Sequence, residues 1–267
     1  MIKLIALDLD GTLTNEQKII TPHTMQALLR AQSHGVRLCL ASGRPPYGMR
    51  PLAKQLHLAE HGGLLVCYNG GHVEDCSNGK VLVERELDIS LLPELCEWQE
   101  RTGMTLMTYF EDHIYTERPD NKYVQVSVRN NKMTAVKVDN FATDTPRPIN
   151  KCLMVGEPEA VKQWEPRLQE AFHGRMNILH STPYFIECLP LNIDKGLALQ
   201  ALLPVLGLLR EELMAFGDSF NDIGMLRYAG LGVAMENADE EVKAIADHIT
   251  SSNEDDGIAA ALSFFNV

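Results

Sequence analysis

Ile2-Lys3-Leu4-Ile5-Ala6-Leu7 runs, almost wholly apolar, into Asp8-Leu9-Asp10-Gly11-Thr12-Leu13. A short apolar run without alternation suits a parallel strand covered on both faces. In open sheets of that kind, ligands gather beyond the carboxyl ends of the strands. Two carboxylates one residue apart at such an end can point into one crevice, and Gly11 lets the chain turn away while its backbone stays close to a ligand. A surface Asp-Gly turn remains the alternative for this motif taken alone.

Outward from that strand the pattern repeats. Pro22 to His34 reads as a helix stopped by Gly35, and Val36 to Ala41 as a second buried strand running into Ser42-Gly43-Arg44-Pro45. A third apolar run, Leu64 to Tyr68, ends in Asn69-Gly70-Gly71. From about Glu84 to Ile186 the character changes. Helical patterns around Ser90 to Arg101 and Glu159 to Phe172 alternate with half-polar strands at Thr105 to Phe110, His113 to Thr116 and Tyr184 to Cys188, which predicts an α+β insert with one sheet face exposed. After Leu189 the buried pattern resumes with a helix from Lys195, the strand Leu213 to Phe216 into Gly217-Asp218, a helix near Ile223 to Ala229, the strand Leu231 to Ala234 and two closing helices. Pro204 should kink or end the helix that starts at Lys195. The expected division is a core of residues 1–84 and 189–267 interrupted by an insert of residues 85–188.

A net charge of −12 argues against nucleic acid as a main partner, because binding phosphate backbones requires clustered Lys and Arg. It does not exclude an anionic substrate held by local cations, backbone N–H groups and a divalent metal. The six cysteines (Cys39, Cys67, Cys76, Cys96, Cys152, Cys188) form no C-x-x-C pair and are not grouped with His at zinc spacing. They read as reduced, mostly buried thiols of a cytoplasmic protein. The N-terminal run meets carboxylates at once, unlike a signal peptide, and no stretch is long enough to cross a bilayer.

Three further places carry candidate chemistry. Asp218 and Asp222, in Gly217-Asp218-Ser219-Phe220-Asn221-Asp222, supply hard oxygen ligands of the kind Mg²⁺ takes, or else Ser219 or Asn221 caps a following helix whose positive end Asp222 favours. Lys195 stands at a helix start, where the dipole opposes a cation unless an anion is shared, or else it is a solvated surface lysine. Ser42 with Gly43 can offer a hydroxyl and an N–H to a phosphate, or forms an ordinary strand-to-loop turn.

Taken together, D-x-D-G-T-L at Asp8 to Leu13, Ser42, Lys195 and G-D-x-x-N-D at Gly217 to Asp222 resemble the four motifs of the haloacid dehalogenase superfamily, in the family's order. The insert between the Ser and Lys motifs resembles the Cof-type branch with its large α+β cap, and its bacterial sugar phosphatases in particular. Ser42-Gly43-Arg44-Pro45, Tyr68-Asn69-Gly70, Ser181-Thr182-Pro183-Tyr184-Phe185, Gly232 to Ala238 and Asn253-Glu254-Asp255-Asp256-Gly257 are similar to that branch too. Asn192 departs from it, standing where Gly or a basic residue is usual.

The resemblance implies an α/β fold, a Rossmann-like doubly wound parallel sheet with the inserted cap. It implies an Mg²⁺-dependent phosphatase in which Asp8 is the nucleophile that becomes phosphorylated and Asp10 the general acid and base. Asp8, Asp218 and the Asp10 carbonyl would hold the metal, supported by Asp222. Leu9 and Asp10 N–H groups, Ser42, Gly43, Lys195 and Asn221 would surround the phosphate. Arg44, His113, Tyr115, Tyr123, His180 and Tyr184 are candidates for reading the organic part of a small phosphorylated metabolite, or are solvated and packing residues. The partner expected is that metabolite, a sugar phosphate above all, with neither nucleic acid nor membrane, in a monomer or homodimer. A phosphomutase or phosphotransferase using the same aspartyl-phosphate stays open, as does a phosphosugar-binding regulator. Dehalogenation is disfavoured because attack on carbon gives Asp10 and the metal carboxylates no necessary role.

Overall fold

The computed structural model describes the backbone of residues 1–267 and every side chain except that of Ser181, so that part of the Ser181–Phe185 segment lies outside the described side chains. The chain forms two compact units, one of Met1–Gly43, Met49–Glu84 and Asp194–Val267, the other of Arg44–Gly48 and Arg85–Ile193. In chain order, residues 1–84 carry β1 (Leu4–Leu7), α1 (Pro22–Ser33), β2 (Arg37–Ala41), α2 (Pro46–Gln55), β3 (Leu64–Cys67), β4 (His72–Asp75) and β5 (Val81–Glu84). The second unit adds α3 (Leu92–Thr102), β6 (Thr105–Phe110), β7 (His113–Thr116), α4 (Lys122–Asn131), β8 (Thr134–Lys137), α5 (Phe141–Asp144), β9 (Cys152–Val155), α6 (Pro158–Ala171), β10 (Asn177–Thr182) and β11 (Phe185–Leu189). The first unit resumes with α7 (Lys195–Leu206), β12 (Leu213–Gly217), α8 (Ile223–Tyr228), β13 (Leu231–Ala234), α9 (Glu240–Lys243), β14 (His248–Ile249) and α10 (Gly257–Phe264).

The first unit is an α/β sheet in the order β14-β13-β12-β1-β2-β3-β4-β5, parallel from β14 to β3 and finished by an antiparallel hairpin. Its strands are apolar on both sides because both sides are covered. Leu4, Ala6, Cys39, Ala41, Leu213 and Ala215 pack with Leu199 and Leu202 of α7 and Met225 and Leu226 of α8. The alternate residues Ile5, Leu7, Leu38, Leu40, Met214 and Phe216 are wholly buried as well. From β1 the chain winds outward through β2 and β3, and on its return it winds the other way through β12, β13 and β14. The switch point therefore lies between β1 and β12, where such sheets open a crevice. Helix α1 starts where expected: Thr21 accepts from Thr24 N–H at its N-cap and Pro22 occupies the first turn.

The second unit is a six-stranded sheet, β10-β11-β9-β6-β7-β8, antiparallel except for the β7–β8 pair. Leu106, Cys152, Met154, Ile186 and Cys188 bury one face under α3, α5 and α6, with Phe141, Phe172 and Leu168. The expected exposed face is not found on the central strands, since Thr105–Tyr109, Cys152–Val155 and Phe185–Leu189 are buried throughout. The half-polar look of these strands has another cause. Tyr109 Oη lies 2.9 Å from Ser127 Oγ of α4, and Lys151 pairs with Glu187 at 2.6 Å with both side chains under a tenth exposed.

The crossing back to the core falls after Ile193, not at the expected 188/189. Leu189 still pairs with Asn177, and Asn177 Nδ2 donates to the Pro190 carbonyl, which ties the end of β11 to its own sheet. Pro204 does not end α7 at once. It lies in the last turn, and the helix stops at Gly207, which is left-handed. Among the described residues no helix is long and apolar enough to cross a membrane. Phe141, wholly buried in the second unit, gives a test of that core: Phe141→Ala should cost about 3–5 kcal/mol in urea unfolding of the unit, and a loss below about 1 kcal/mol would place the core elsewhere.

Candidate active site

The carboxyl ends of β1, β2, β3 and β12 and the start of α7 bring the motif residues together. Asp8 continues β1, donating its N–H to Phe216 O of β12 at 3.1 Å. Lys195 is wholly buried, and its Nζ lies 2.6 Å from Asp8 Oδ1 and 2.7 Å from Asp222 Oδ1. The solvated-lysine reading is thus excluded. Asp222, also wholly buried, uses its other oxygen to accept the N–H groups of Asp218 (3.0 Å) and Ser219 (3.1 Å). It caps the turn that follows β12, and it fixes Lys195 at the same time.

Asp218 is positioned by Thr12, whose hydroxyl donates to Oδ1 at 2.6 Å. Gly11 adopts φ +91°, and a Cβ there would sit 2.4 Å from Asp218 Oδ2, so any side chain would close the space between the two loops. Carboxylate oxygens of Asp8, Asp218 and Asp222 lie within 4.8 Å of one another. The Asp10 carboxylate pairs with Lys18 Nζ at 2.8 Å. The Leu9 carbonyl accepts both the N–H and the hydroxyl of Thr14, each at 2.9 Å, which locks the turn after the strand.

The Ser42-Gly43 turn is held by Asn69, whose N–H donates to Ser42 O at 2.9 Å. Asn69 Oδ1 accepts from Asn221 Nδ2 at 3.1 Å, linking that turn to the one after β12. Asn69 is a site residue that sequence reasoning missed. Its signal was the small polar Asn69-Gly70-Gly71 after a buried strand, and its left-handed backbone (φ 57°) is one Asn tolerates.

The expected substrate readers belong to the second unit. Arg44 groups with it by its contacts. His113 Nδ1 pairs with Asp112 at 2.7 Å, and Tyr115 packs against the helix-covered core, so Tyr115 takes the packing role. Tyr184 stacks on Tyr123 (centroids 5.3 Å, 20°), Tyr123 donates to Glu157 at 2.7 Å, and His180 pairs with Glu165 at 2.8 Å.

The whole-chain pattern matches the family model for haloacid dehalogenase-like hydrolases over residues 5–262. The chain belongs to that family. It is similar to a haloacid dehalogenase-like hydrolase from Bacteroides thetaiotaomicron (TM-score 0.95, 42% identity, 99% of this chain and 100% of that one). It is 32% identical over 271 residues, 98% of this chain and 94% of the other, to a 5-amino-6-(5-phospho-D-ribitylamino)uracil phosphatase from Bacillus subtilis. A subclass IIB sugar phosphatase of solved structure superposes with TM-score 0.81 at 25% identity, covering 99% of each chain. The protein is therefore a hydrolase of the phosphatase type acting on small phosphorylated substrates.

The electrostatics of this hydrolase are unbalanced, because three clustered carboxylates face a single ammonium. Burial, joined by Asp222 and Asp218 and only partly countered by Lys195, pushes the Asp8 carboxyl up to about 8. Burial likewise lifts Asp218 to about 6, against the hydrogen bond from Thr12. Burial would lower the Lys195 ammonium, but Asp222 and Asp8 outweigh it and hold it above its usual value. His72 lies 3.0 Å from Glu84 and 3.5 Å from Glu74. Burial opposes its charge, yet the two carboxylates carry it up to about 9.

In both Asp8 and His72 the folded chain holds a proton that the unfolded chain releases earlier, so stability falls as pH rises. The Asp8 window runs from 3.8 to about 8 and the His72 window from 6.5 to about 9. With a chelator present, the melting temperature should fall continuously between about pH 5 and pH 9. Mg²⁺ added near pH 8 should recover the Asp8 share and leave the His72 decline. A melting temperature indifferent to both pH and Mg²⁺ would contradict the charge excess.

Proposed function

We propose that this chain is an Mg²⁺-dependent phosphatase of sugar or polyol phosphates, working through a phosphoryl-aspartate on Asp8. The observation that carries this reading is the wholly buried Lys195, which takes one oxygen of Asp8 while three carboxylates crowd within 4.8 Å. A donor set of hard carboxylate oxygens with excess negative charge fits a divalent cation of the Mg²⁺ type. Asp8, Asp218 and the Asp10 carbonyl would hold it, with Asp222 supporting from behind. When bound, such an ion neutralises phosphoryl oxygens during transfer.

The chain's own groups do the rest. Lys195 orients Asp8 and lowers part of the cost of its charge, and the divalent ion would supply the rest for attack on phosphorus. Forming the acyl phosphate breaks the ester P–O bond, and Asp10 gives its proton to the leaving oxygen. Asp10 then takes a proton from the water that cleaves the acyl phosphate and returns Asp8. Ser42, Gly43, Asn221 and the N–H groups of Leu9 and Asp10 are suited to hold the equatorial oxygens, with Asn69 fixing two of these loops. The organic part belongs to a small metabolite, as relatives named for ribityl and sugar phosphates, one matched in sequence and one in structure, cover 98% and 99% of this chain. Six free thiols suit a cytoplasmic setting.

Asp8→Asn should abolish release of inorganic phosphate from a panel of sugar phosphates in Mg²⁺ while the protein remains folded by circular dichroism. Turnover near wild type in that variant, or phosphate release by the wild type unaffected by a chelator, defeats the proposal. Asp10→Asn should lose about 10²–10⁴-fold on phenyl phosphate, whose leaving group needs a proton, and far less on p-nitrophenyl phosphate. Equal losses would remove Asp10 from the acid role.

A further inference from the structure

Two asparagines outside the four motifs converge on the loop that carries Asp10. Asn237, in the segment after β13, donates through Nδ2 to the Gly11 carbonyl at 2.8 Å. Its Oδ1 accepts the N–H of Asn253 at 3.1 Å, and Asn253 Nδ2 donates to the Thr14 carbonyl at 2.9 Å. The same C-terminal segment continues along the loop. Glu254 accepts the Glu16 N–H at 2.6 Å, and Asp256 accepts the hydroxyls of Thr21 and, at 3.0 Å, Thr24. The backbone around Asn237 also touches the other carboxylate loop, since Met235 N–H donates to Gly217 O and Asp239 N–H to Asp218 O, both at 3.1 Å.

Between these anchors, residues 15–19 close a tight turn. Asn15 N–H donates to Ile19 O (3.0 Å), and Ile19 N–H donates to the Asn15 side-chain Oδ1 (3.1 Å). Lys18, left-handed at φ 60°, is thereby presented to the Asp10 carboxylate at 2.8 Å. The Asp10 side chain is 39% exposed, against the buried Asp8 and Asp222, and the loop that follows it carries its Lys18 partner.

We propose that Asn237 and Asn253 are positioning residues for the general acid: they clamp the 11–21 loop to the C-terminal segment and so fix where the Asp10 carboxyl meets the leaving oxygen. This rests on the acid role given to Asp10 above. A clamp of this kind acts on proton delivery, which matters only for a basic leaving group, and leaves attack by Asp8 alone. A merely structural loss would depress both.

The test compares kcat on phenyl phosphate and p-nitrophenyl phosphate, in saturating Mg²⁺, for the wild type, Asn237→Ala, Asn237→Asp, Asn253→Ala and Asp10→Asn. Asn237→Asp keeps the shape and the acceptor but loses the donor to Gly11, so it covers the case in which the alanine variant misfolds. Both Asn237 variants should fall about tenfold on phenyl phosphate, the scale of one lost hydrogen bond, and less than about twofold on p-nitrophenyl phosphate. Asn253→Ala should show the same selectivity. Equal falls on the two esters, or no fall on either, overturn the clamp. If Asp10→Asn is selective and the asparagine variants are not, the clamp alone fails. If Asp10→Asn is itself unselective, the acid role fails and the clamp goes with it.

Discussion

The ammonium of Lys195, buried between Asp8 and Asp222, is the interaction on which the site depends. A buried charge is costly unless it is paired and hydrogen-bonded, and this one opens α7, where the helix dipole opposes a cation. Two carboxylates at 2.6 and 2.7 Å make the position tenable. Each is fixed in turn: Asp8 by its N–H bond to Phe216 O just past the end of β1, Asp222 by the N–H groups of Asp218 and Ser219. One lysine thereby joins three segments far apart in sequence. It also leaves the cluster short of positive charge, a condition that favours a divalent cation, which in turn would offset the charge of a phosphoryl group.

The sheet topology makes this convergence possible. Because the chain winds one way from β1 and the other way from β12, the loops after these neighbouring strands diverge and leave a crevice between them. Asp8 and Asp218 stand on its two sides. Glycine keeps the gap narrow without filling it. A Cβ at Gly11 would strike Asp218, and one at Gly217 would lie 2.5 Å from Asp222 Cβ, so the loops approach as closely as their backbones allow.

The core was legible because its signals are local. Buried parallel strands are continuous apolar runs, and the motif residues follow them directly. The second unit was less legible for a physical reason. Thr108, Tyr109, Lys151 and Glu187 look like residues of a wet face, but each is satisfied inside the fold, by the Lys151 carbonyl, by Ser127 and by one another. A polar residue in a strand reports exposure only when no buried partner awaits it. Helix α4, which supplies one such partner, carries polar residues over most of its length and was not foreseen. Asn69 and Asn237 stood in segments that resemble the family, but their roles were not legible because they are contacts between distant loops, which no spacing encodes.

Under the proposed function, phosphate binding and substrate reading would fall to different groups for the same physical reason. A charge cluster sees the phosphoryl group, which every phosphate monoester shares, and so cannot by itself distinguish one from another. Discrimination has to come from groups that meet the remainder of the molecule. In the second unit the polar candidates already have partners, with Tyr123 on Glu157, Tyr184 on Tyr123, His180 on Glu165 and His113 on Asp112. A substrate recognised there exchanges existing hydrogen bonds for new ones, and the difference between two similar sugars is then small, since only a pocket that leaves a buried group unpaired penalises the wrong one heavily. Strong selection for phosphate combined with weak selection among its esters is what such an arrangement favours.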